Sequence, residues 1–528
     1  MMWRQLLKKK HLPRKSPEGP SDEGTQSGVI NQLPISQSLK DNLKQIQDTF
    51  VDCNDLRILH WSYGPSLEKK AFSVYLETLI KDKKVNYMKE SLQDLVTHEV
   101  GPATTITTED VMRFFSKNGV SAQSAMIAED FVQVTNLILD GHIIIFFDEW
   151  NKAISYSALG IQNRQITEPI TEPVVQGPHM SMIEDLDANI GIIRNLLRSP
   201  RLKFHYFTAG EECRRRISYG YLEGAVNPET LSEFKRRLSQ ITNEEILETS
   251  YLEDWIGDSK LSPFPQVRYT ERPDNAVAAL LDGKIIVLVD GTPTIVVCPG
   301  LFFEFFVTSE DYYHRSLFSS LIRLLRFGAS LMALLLPSTY IALTTFHSEL
   351  IPTVLLLAVL DTREGIPFPA FIEALLMEFF FEILREAGIR LPRPIGSAVS
   401  IVGALVIGQA AIQAKIASPV MVIVVSLTGI ASFALPQYSM AIAIRILRFP
   451  LMMLAATLGG FGVMFGLLLT FLHLTTLRSL GQPYLSPVAP LEIKQFRDLF
   501  IVIPRKILLH SPRNRHQHKL PAERKKVQ

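Results

Sequence analysis

The chain has 528 residues, a formal net charge of +1 and an apolar fraction of 47%. That length calls for several domains. Its three cysteines, Cys53, Cys213 and Cys298, lie far apart with no CxxC pair, which excludes a disulfide framework and a cysteine zinc site.

Residues 1–37 hold Pro, Ser, Gly and charge without periodicity and read as a disordered basic arm, with Lys8, Lys9, Lys10, Arg14 and Lys15 at its start. The first ten residues lack an apolar stretch long enough for a secretory signal, so the soluble half is expected on the cytoplasmic side. Region 38–166 reads as a first soluble α/β subdomain. Ser38–Phe50 is predicted helical, Leu56–Tyr63 a strand, and Leu67–Ile80 helical, with Leu67, Phe72, Tyr75 and Leu79 near one face. Asp140-Gly-His-Ile-Ile-Ile-Phe-Phe-Asp148 then carries a buried-strand signal.

Residues 167–180 form a linker, opened by Thr167-Glu-Pro-Ile-Thr-Glu-Pro173, whose prolines remove backbone donors and favour extended chain. A second α/β subdomain is expected over 181–317. Met182–Arg198 and Asn227–Ile241 read as amphipathic helices, with strands at Leu202–Thr208 and Ile217–Leu222 between them. Asp282-Gly-Lys-Ile-Ile-Val-Leu-Val-Asp290 echoes the Asp140 piece, and a turn at Asp290-Gly291 leads to a strand at Thr294–Cys298, hence a hairpin. Duplication of one α/β unit explains the echo; chance likeness of two hydrophobic strands is the alternative.

Past residue 317 the chain changes solvent, and 318–480 is predicted to be a helical, polytopic membrane domain. Leu321–Leu343, Pro394–Ile416, Pro419–Leu435 and Pro450–Leu474 are candidate spans of a hydrocarbon core about 30 Å thick. Leu350–Leu384 reads as a re-entrant, interfacial or vestibule element, and Arg323 and Arg326 are expected to snorkel to headgroups. His347 and Glu349 fall in the loop after the first span and read as structural. Residues 481–528 form a basic cytoplasmic tail ending in Arg513, Arg515, Lys519, Arg524, Lys525 and Lys526. With basic residues at both ends, an even number of crossings is expected. No nucleic-acid-binding motif accompanies the basic runs, so their expected partner is anionic membrane lipid.

Polar residues in apolar segments are the informative ones, because charge and amide groups at membrane depth need a partner or water. At 100° per residue, Val399, Val402, Val406, Gln409 and Gln413 share an arc of about 80°, opposite Ile401, Leu405 and Ile412. Such a stripe suits a pore wall, with valines able to gate by dewetting; hydrogen bonding to neighbouring helices is the alternative. Glu378, Glu382 and Glu386 stack at four-residue spacing, either as an acidic vestibule or as the wet face of an interfacial helix. Gly403, Gly408, Gly462 and Gly466 suit close helix packing. No GxxxxGK[ST], HExxH or GxSxG motif occurs, so neither enzymatic activity nor a cofactor is expected.

Several strings carry a family resemblance: Pro263–Asp274, Ser309–Tyr313, Ala342–His347, Arg363–Pro369, Glu373–Glu378, Leu391–Gly396 and Val399–Ala404. Over roughly residues 130–490 the chain resembles the A subunit of GerA-type spore germination receptors. The resemblance implies a multi-pass protein of the spore inner membrane, working with a transporter-like B subunit that binds nutrient and a lipoprotein C subunit. It also implies a homo-oligomer, a pentamer, forming a nutrient-gated cation channel. A non-conducting scaffold subunit, anchoring the soluble half to the transporter-like partner, is the other reading. The chain departs from the family pattern at His179, at Ser348 and in Gly300–Glu304.

Overall fold

Two Asp-Gly steps mark equivalent positions in two halves of the soluble region. The computed structural model describes residues 34–63, 69–80, 125–160, 168–169, 171–241, 244–392, 403, 405–491 and 499–502. In the first half, helix α1 (Leu39–Thr49) precedes strands β1 (Leu56–Tyr63), β2 (Lys69–Leu76) and β3 (Ala125–Ala128). Helix α2 (Phe131–Leu139) and strands β4 (His142–Phe147) and β5 (Ala153–Ser157) complete it. The second half holds α3 (Leu186–Leu196), β6 (Leu202–Ala209), β7 (Arg215–Leu222), α4 (Pro228–Leu238), the short α5 (Glu253–Ile256) and β8 (Arg268–Thr270). It closes with α6 (Pro273–Leu281), β9 (Ile285–Val289) and β10 (Ile295–Cys298).

The five-stranded sheets have one topology, β1-β2-β4-β5-β3 and β6-β7-β9-β10-β8, with every neighbouring pair antiparallel. The echoed strands β4 and β9 occupy the same place in each sheet. Their Asp-Gly steps turn out to be helix ends rather than strand starts. Gly141 and Gly283 both have φ +79°, and each N–H bonds back to the last helical turn, at Ile138 and Leu280. Glycine reaches that left-handed C′ conformation without a Cβ penalty. In Gly283 a Cβ would also lie 2.4 Å from the Ala225 carbonyl oxygen. Two related α/β subdomains follow.

The expected helix at Leu67–Ile80 is instead strand β2, which pairs in register with all eight residues of β1. Aromatic and β-branched residues in Lys69–Leu76 suit a pleated surface, and cross-strand pairing overrides the helical spacing of Phe72 and Tyr75. In β9, Ile285, Val287 and Val289 face one core while Ile286 and Leu288 face another. Both faces of this sheet are thus covered, which is why the strand reads as an unbroken apolar run.

The helical domain contains α7 (Ser316–Thr345), α8 (Thr353–Thr362), α9 (Ala370–Arg390), a helical stretch at 405–413, α10 (Pro419–Phe433) and α11 (Tyr438–Thr476). Two of these, α7 and α11, are long and apolar enough to cross a membrane. Three expectations change. The segment read as re-entrant, interfacial or vestibule, Leu350–Leu384, divides into α8 and the start of α9, which runs on to Arg390 for 21 residues or about 32 Å. The helix α11 starts twelve residues before the expected Pro450. It also reverses: Gly459 has φ +61° and ψ −140°, outside the helical region. A Cβ on Gly466 would lie 2.4 Å from Leu451, fifteen residues upstream, whereas fifteen residues of straight helix span about 22 Å. The chain therefore folds into a hairpin, and Gly462 and Gly466 pack against its first leg.

Both feet of the hairpin stand at the soluble half, and its tip at Gly459 meets Phe346 and His347 at the far end of α7. After Thr476 the chain returns to subdomain 2. Ser479 Oγ donates to Gln266 O at 2.7 Å, Tyr484 OH donates to Pro265 O at 2.7 Å, and Leu480 enters the subdomain core. Residues 478–485 are thus packed structure, while 503–528 of the basic tail, and 1–33 of the basic arm, lie outside the described residues.

Candidate functional site

The helical domain buries charge in pairs. Arg323 and Arg326 do not reach toward headgroups: both converge on Asp311, a carboxylate 2% exposed, at 3.1 and 2.8 Å. With both arginines and Asp311 withdrawn from water, loss of either sign would leave an uncompensated buried charge, which keeps the cluster together. Glu373, fully buried and not singled out by its sequence context, accepts from Arg363 at 2.9 Å and from the Ser418 N–H at 3.0 Å, at the start of α10.

The acidic ladder of α9 divides by depth. Glu378 Oε2 lies 2.9 Å from Arg448 Nη2, with both side chains about 2% exposed or less. The contact is close but poorly aligned: both Glu378 oxygens and Arg448 Nε and Nη1 lack a hydrogen-bond partner among the described residues. Arg448 is ten residues from the start of the first hairpin leg and eleven from Gly459, so it sits about 15 Å from either end. Glu382 is shared by Arg385 and Arg445, each at 2.6 Å, and Glu386 pairs with Arg390 at 2.6 Å in the open. Three carboxylates thus meet four guanidinium groups, which relieves the repulsion that their spacing implies.

The glutamine-bearing helix is described only from Gly403 and at 405–413; Val399 and Val402 lie outside the described residues. Val406 is 54% exposed, and Gln409 and Gln413 are exposed with it. Leu405, expected on the opposite face, is also exposed, so the packed edge of this helix is narrow: Gly408 and Ala411. Gly403 lies against Leu384, where a Cβ would come within 2.6 Å, and Gly408 faces Val422. Gly403 and Gly408 thus face α9 and α10, while Gly462 and Gly466 face the first leg of their own hairpin.

The linker is not free chain. Glu172 accepts from Thr270 Oγ1 at 2.6 Å, from Asn275 Nδ2 at 3.3 Å and from Gln437 Nε2 at 3.0 Å. Gln437 is the residue just before α11 and also donates to the Tyr269 carbonyl at 3.4 Å. Burial pushes the Glu172 carboxyl above its ordinary range, opposed first by the Thr270 hydroxyl. The second hairpin foot is tied by Ser262 and His473, which share a hydrogen bond at 2.8 Å. The Glu172 joint has no local signal in the sequence, because its partners come from segments about 100 and 265 residues away.

A profile of the family described as "Bacillus/Clostridium GerA spore germination protein" matches residues 44–514. The chain is 40% identical to the "Uncharacterized membrane protein YfkQ" of Bacillus subtilis (strain 168), over 89% of this chain and 90% of that one. It is 39% identical to "Spore germination protein KA" of the same organism, over 89% and 85%. It is 37% identical to "Spore germination protein GerLA" of Bacillus cereus, over 91% and 96%. A solved structure, the N-terminal domain of the A subunit of the Bacillus megaterium spore germinant receptor GerK3, aligns with a TM-score of 0.41 at 23% identity, covering 52% of this chain and 98% of that one.

Proposed function

The chain belongs to the Bacillus/Clostridium GerA spore germination protein family, and on that premise we propose that it is the membrane subunit of a nutrient-responsive germination receptor that oligomerises into a nutrient-gated ion channel. One observation carries the conduction reading. Val406, Gln409 and Gln413 lie exposed on a helix of an otherwise apolar domain. Amide side chains left facing lipid would each forfeit hydrogen bonds at a cost of several kcal/mol, about 4–8 for full transfer to hydrocarbon. Water in a shared pore, or the same face of another protomer, removes that cost.

In this reading Val399, Val402, Val406, Gln409 and Gln413 line a pathway around the axis of a homo-oligomer, a pentamer by family resemblance. The hydrophobic Val406 stands at the constriction. Glu378, Glu382 and Glu386 serve as its acidic vestibule, with Glu386, exposed together with Arg390, the member best able to present charge to passing cations. The B subunit, transporter-like and nutrient-binding, and the lipoprotein C subunit complete the receptor in the spore inner membrane, with the soluble half on the core side.

Replacing Val406 with Ala removes apolar surface that excludes water. Spores carrying V406A are expected to release ions and germinate without nutrient. Dormant V406A spores with a normal nutrient response would refute the gate. The second reading, a non-conducting scaffold, draws on the arginine partners that already occupy the carboxylates. Conductance of the purified subunit in planar bilayers separates the two.

A further inference from the structure

Where α5 and the loop after it meet the first turns of α11, a cavity of about 250 Å3 opens. Its wall carries two carboxylates, Asp254 and Glu253, the latter accepting from Tyr269 OH at 2.7 Å, one ammonium, Lys260, and Ser439. Ser439 belongs to this wall, and its oxygen is buried and lacks a hydrogen-bond partner among the described residues. Such a group loses free energy until something supplies the missing bond. Burial raises the pKa of the Glu253 carboxyl, so a cation brought beside it would favour its ionised form.

The surroundings are those of a membrane boundary. Ser262 lines the same cavity and is bonded to His473, three residues before the end of the second hairpin leg. Leu261, between Lys260 and Ser262, is a 98% exposed apolar side chain. Lys260 Nζ lies 5.5 Å from the Trp255 ring centroid, and Tyr438 at the foot of the first leg is exposed. Aromatic rings with a polar edge and lysine are the side chains enriched at that depth. Below the cavity, Ile442, Ile446 and Met453 follow one another at helical spacing, and the latter two are exposed.

We infer that this cavity binds the zwitterionic headgroup of a membrane lipid, a phosphoethanolamine, with its acyl chains lying along Ile446 and Met453. The ammonium meets Glu253 and Asp254, and the phosphate meets Lys260. Two carboxylates against one ammonium repel an anionic glycerol headgroup, while a trimethylammonium offers the carboxylates no N–H to accept. The site requires the helical domain to lie in a bilayer and is independent of conduction, so its failure would leave the channel reading standing.

The test is native mass spectrometry of the full chain in detergent, with equal amounts of dioleoyl phosphatidylethanolamine, phosphatidylglycerol and phosphatidylcholine. One phosphatidylethanolamine is expected to be retained, about tenfold over each competitor. Asp254→Asn and Lys260→Glu change exposed positions, and each is expected to cut that preference at least fivefold. Free phosphoethanolamine at matched concentration should not displace the lipid, which separates a lipid site from a site for the soluble zwitterion. Equal retention of the three lipids, unchanged retention in Asp254→Asn and Lys260→Glu, or displacement by the free headgroup each overturns the proposal.

Discussion

Asp55 and Arg194 meet across 139 residues of chain in a two-bond ion pair, Nε to Oδ2 at 2.8 Å and Nη2 to Oδ1 at 2.7 Å, with neither side chain exposed. Asp55 lies at the start of β1 in the first subdomain and Arg194 on α3 of the second, so the pair fastens one half of the soluble region to the other. Beside it the Asn54 N–H donates to Phe204 O at 3.1 Å. Removing only Asp55 strands a guanidinium away from water. Asp55→Ala should cost about 3–5 kcal/mol, and pairing it with Arg194→Leu should cost distinctly less. Chemical denaturation of the four members of that cycle checks it; equal losses in the single and double variants would contradict the coupling.

The acidic ladder of α9 should respond by depth rather than by charge. Glu378→Gln leaves Arg448 buried without its counter-ion and should lower stability by about 3–5 kcal/mol, whereas Glu386→Gln, at an exposed pair, should stay within about 0.5 kcal/mol. Thermal unfolding of the two proteins in detergent is the comparison. Matching melting temperatures would mean that the Glu378–Arg448 contact holds nothing together.

The architecture was readable where a signal is local. The paired Asp-Gly strands announced two related sheets because a helix end and a buried strand each leave a short, fixed pattern. The first span, Leu321–Leu343, falls inside α7 for the same reason. What the sequence hid is long-range. Phe72 and Tyr75 have helical spacing, yet β1 was waiting to pair with them. Gly459 looked like one more packing glycine beside Gly460, since only its positive φ reveals a reversal. At the candidate site, Val406, Gln409 and Gln413 were singled out by helical periodicity together with residue type, and all three are exposed. Arg385 answers Glu382 at helical spacing, but Arg445 and Arg448, the partners that α11 supplies to Glu382 and Glu378, lie more than sixty residues on, and no spacing rule connects them.

The joint at Glu172 should be sensitive to pH. Burial raises its carboxyl above the unfolded value, so the folded state binds the proton more tightly than the unfolded chain does. The associated stability is present below the ordinary glutamate range and is lost as pH climbs through the raised value. Native protein is therefore expected to lose stability on going from about pH 4 toward neutrality at this site, and Glu172→Gln to show a flatter profile across the same window. Melting temperature against pH for both proteins tests it; parallel profiles would exclude Glu172 as the titrating group.

Gly459 is expected to tolerate no side chain. Its φ of +61° and a Cβ that would sit 2.8 Å from Phe346 combine backbone strain with a clash. Gly459→Ala should cost about 1–3 kcal/mol from strain alone. Gly460→Ala, whose nearest neighbour is the His347 ring at 3.2 Å, should cost less. The order of the two melting temperatures decides the point.

The two-legged form of α11 has the geometry of a lever. Gln437 ties one foot to Glu172 and Tyr269, and His473 ties the other to Ser262, so a rocking motion of subdomain 2 swings both legs as one rod. For a leg of 21 residues, about 31 Å long, a tilt of about 10° at the feet sweeps the tip sideways by about 5 Å. That sweep arrives at Phe346 and His347, where α7 ends. A displacement at the feet, beside subdomain 2, would thereby reach the far end of α7 with no helix needing to bend.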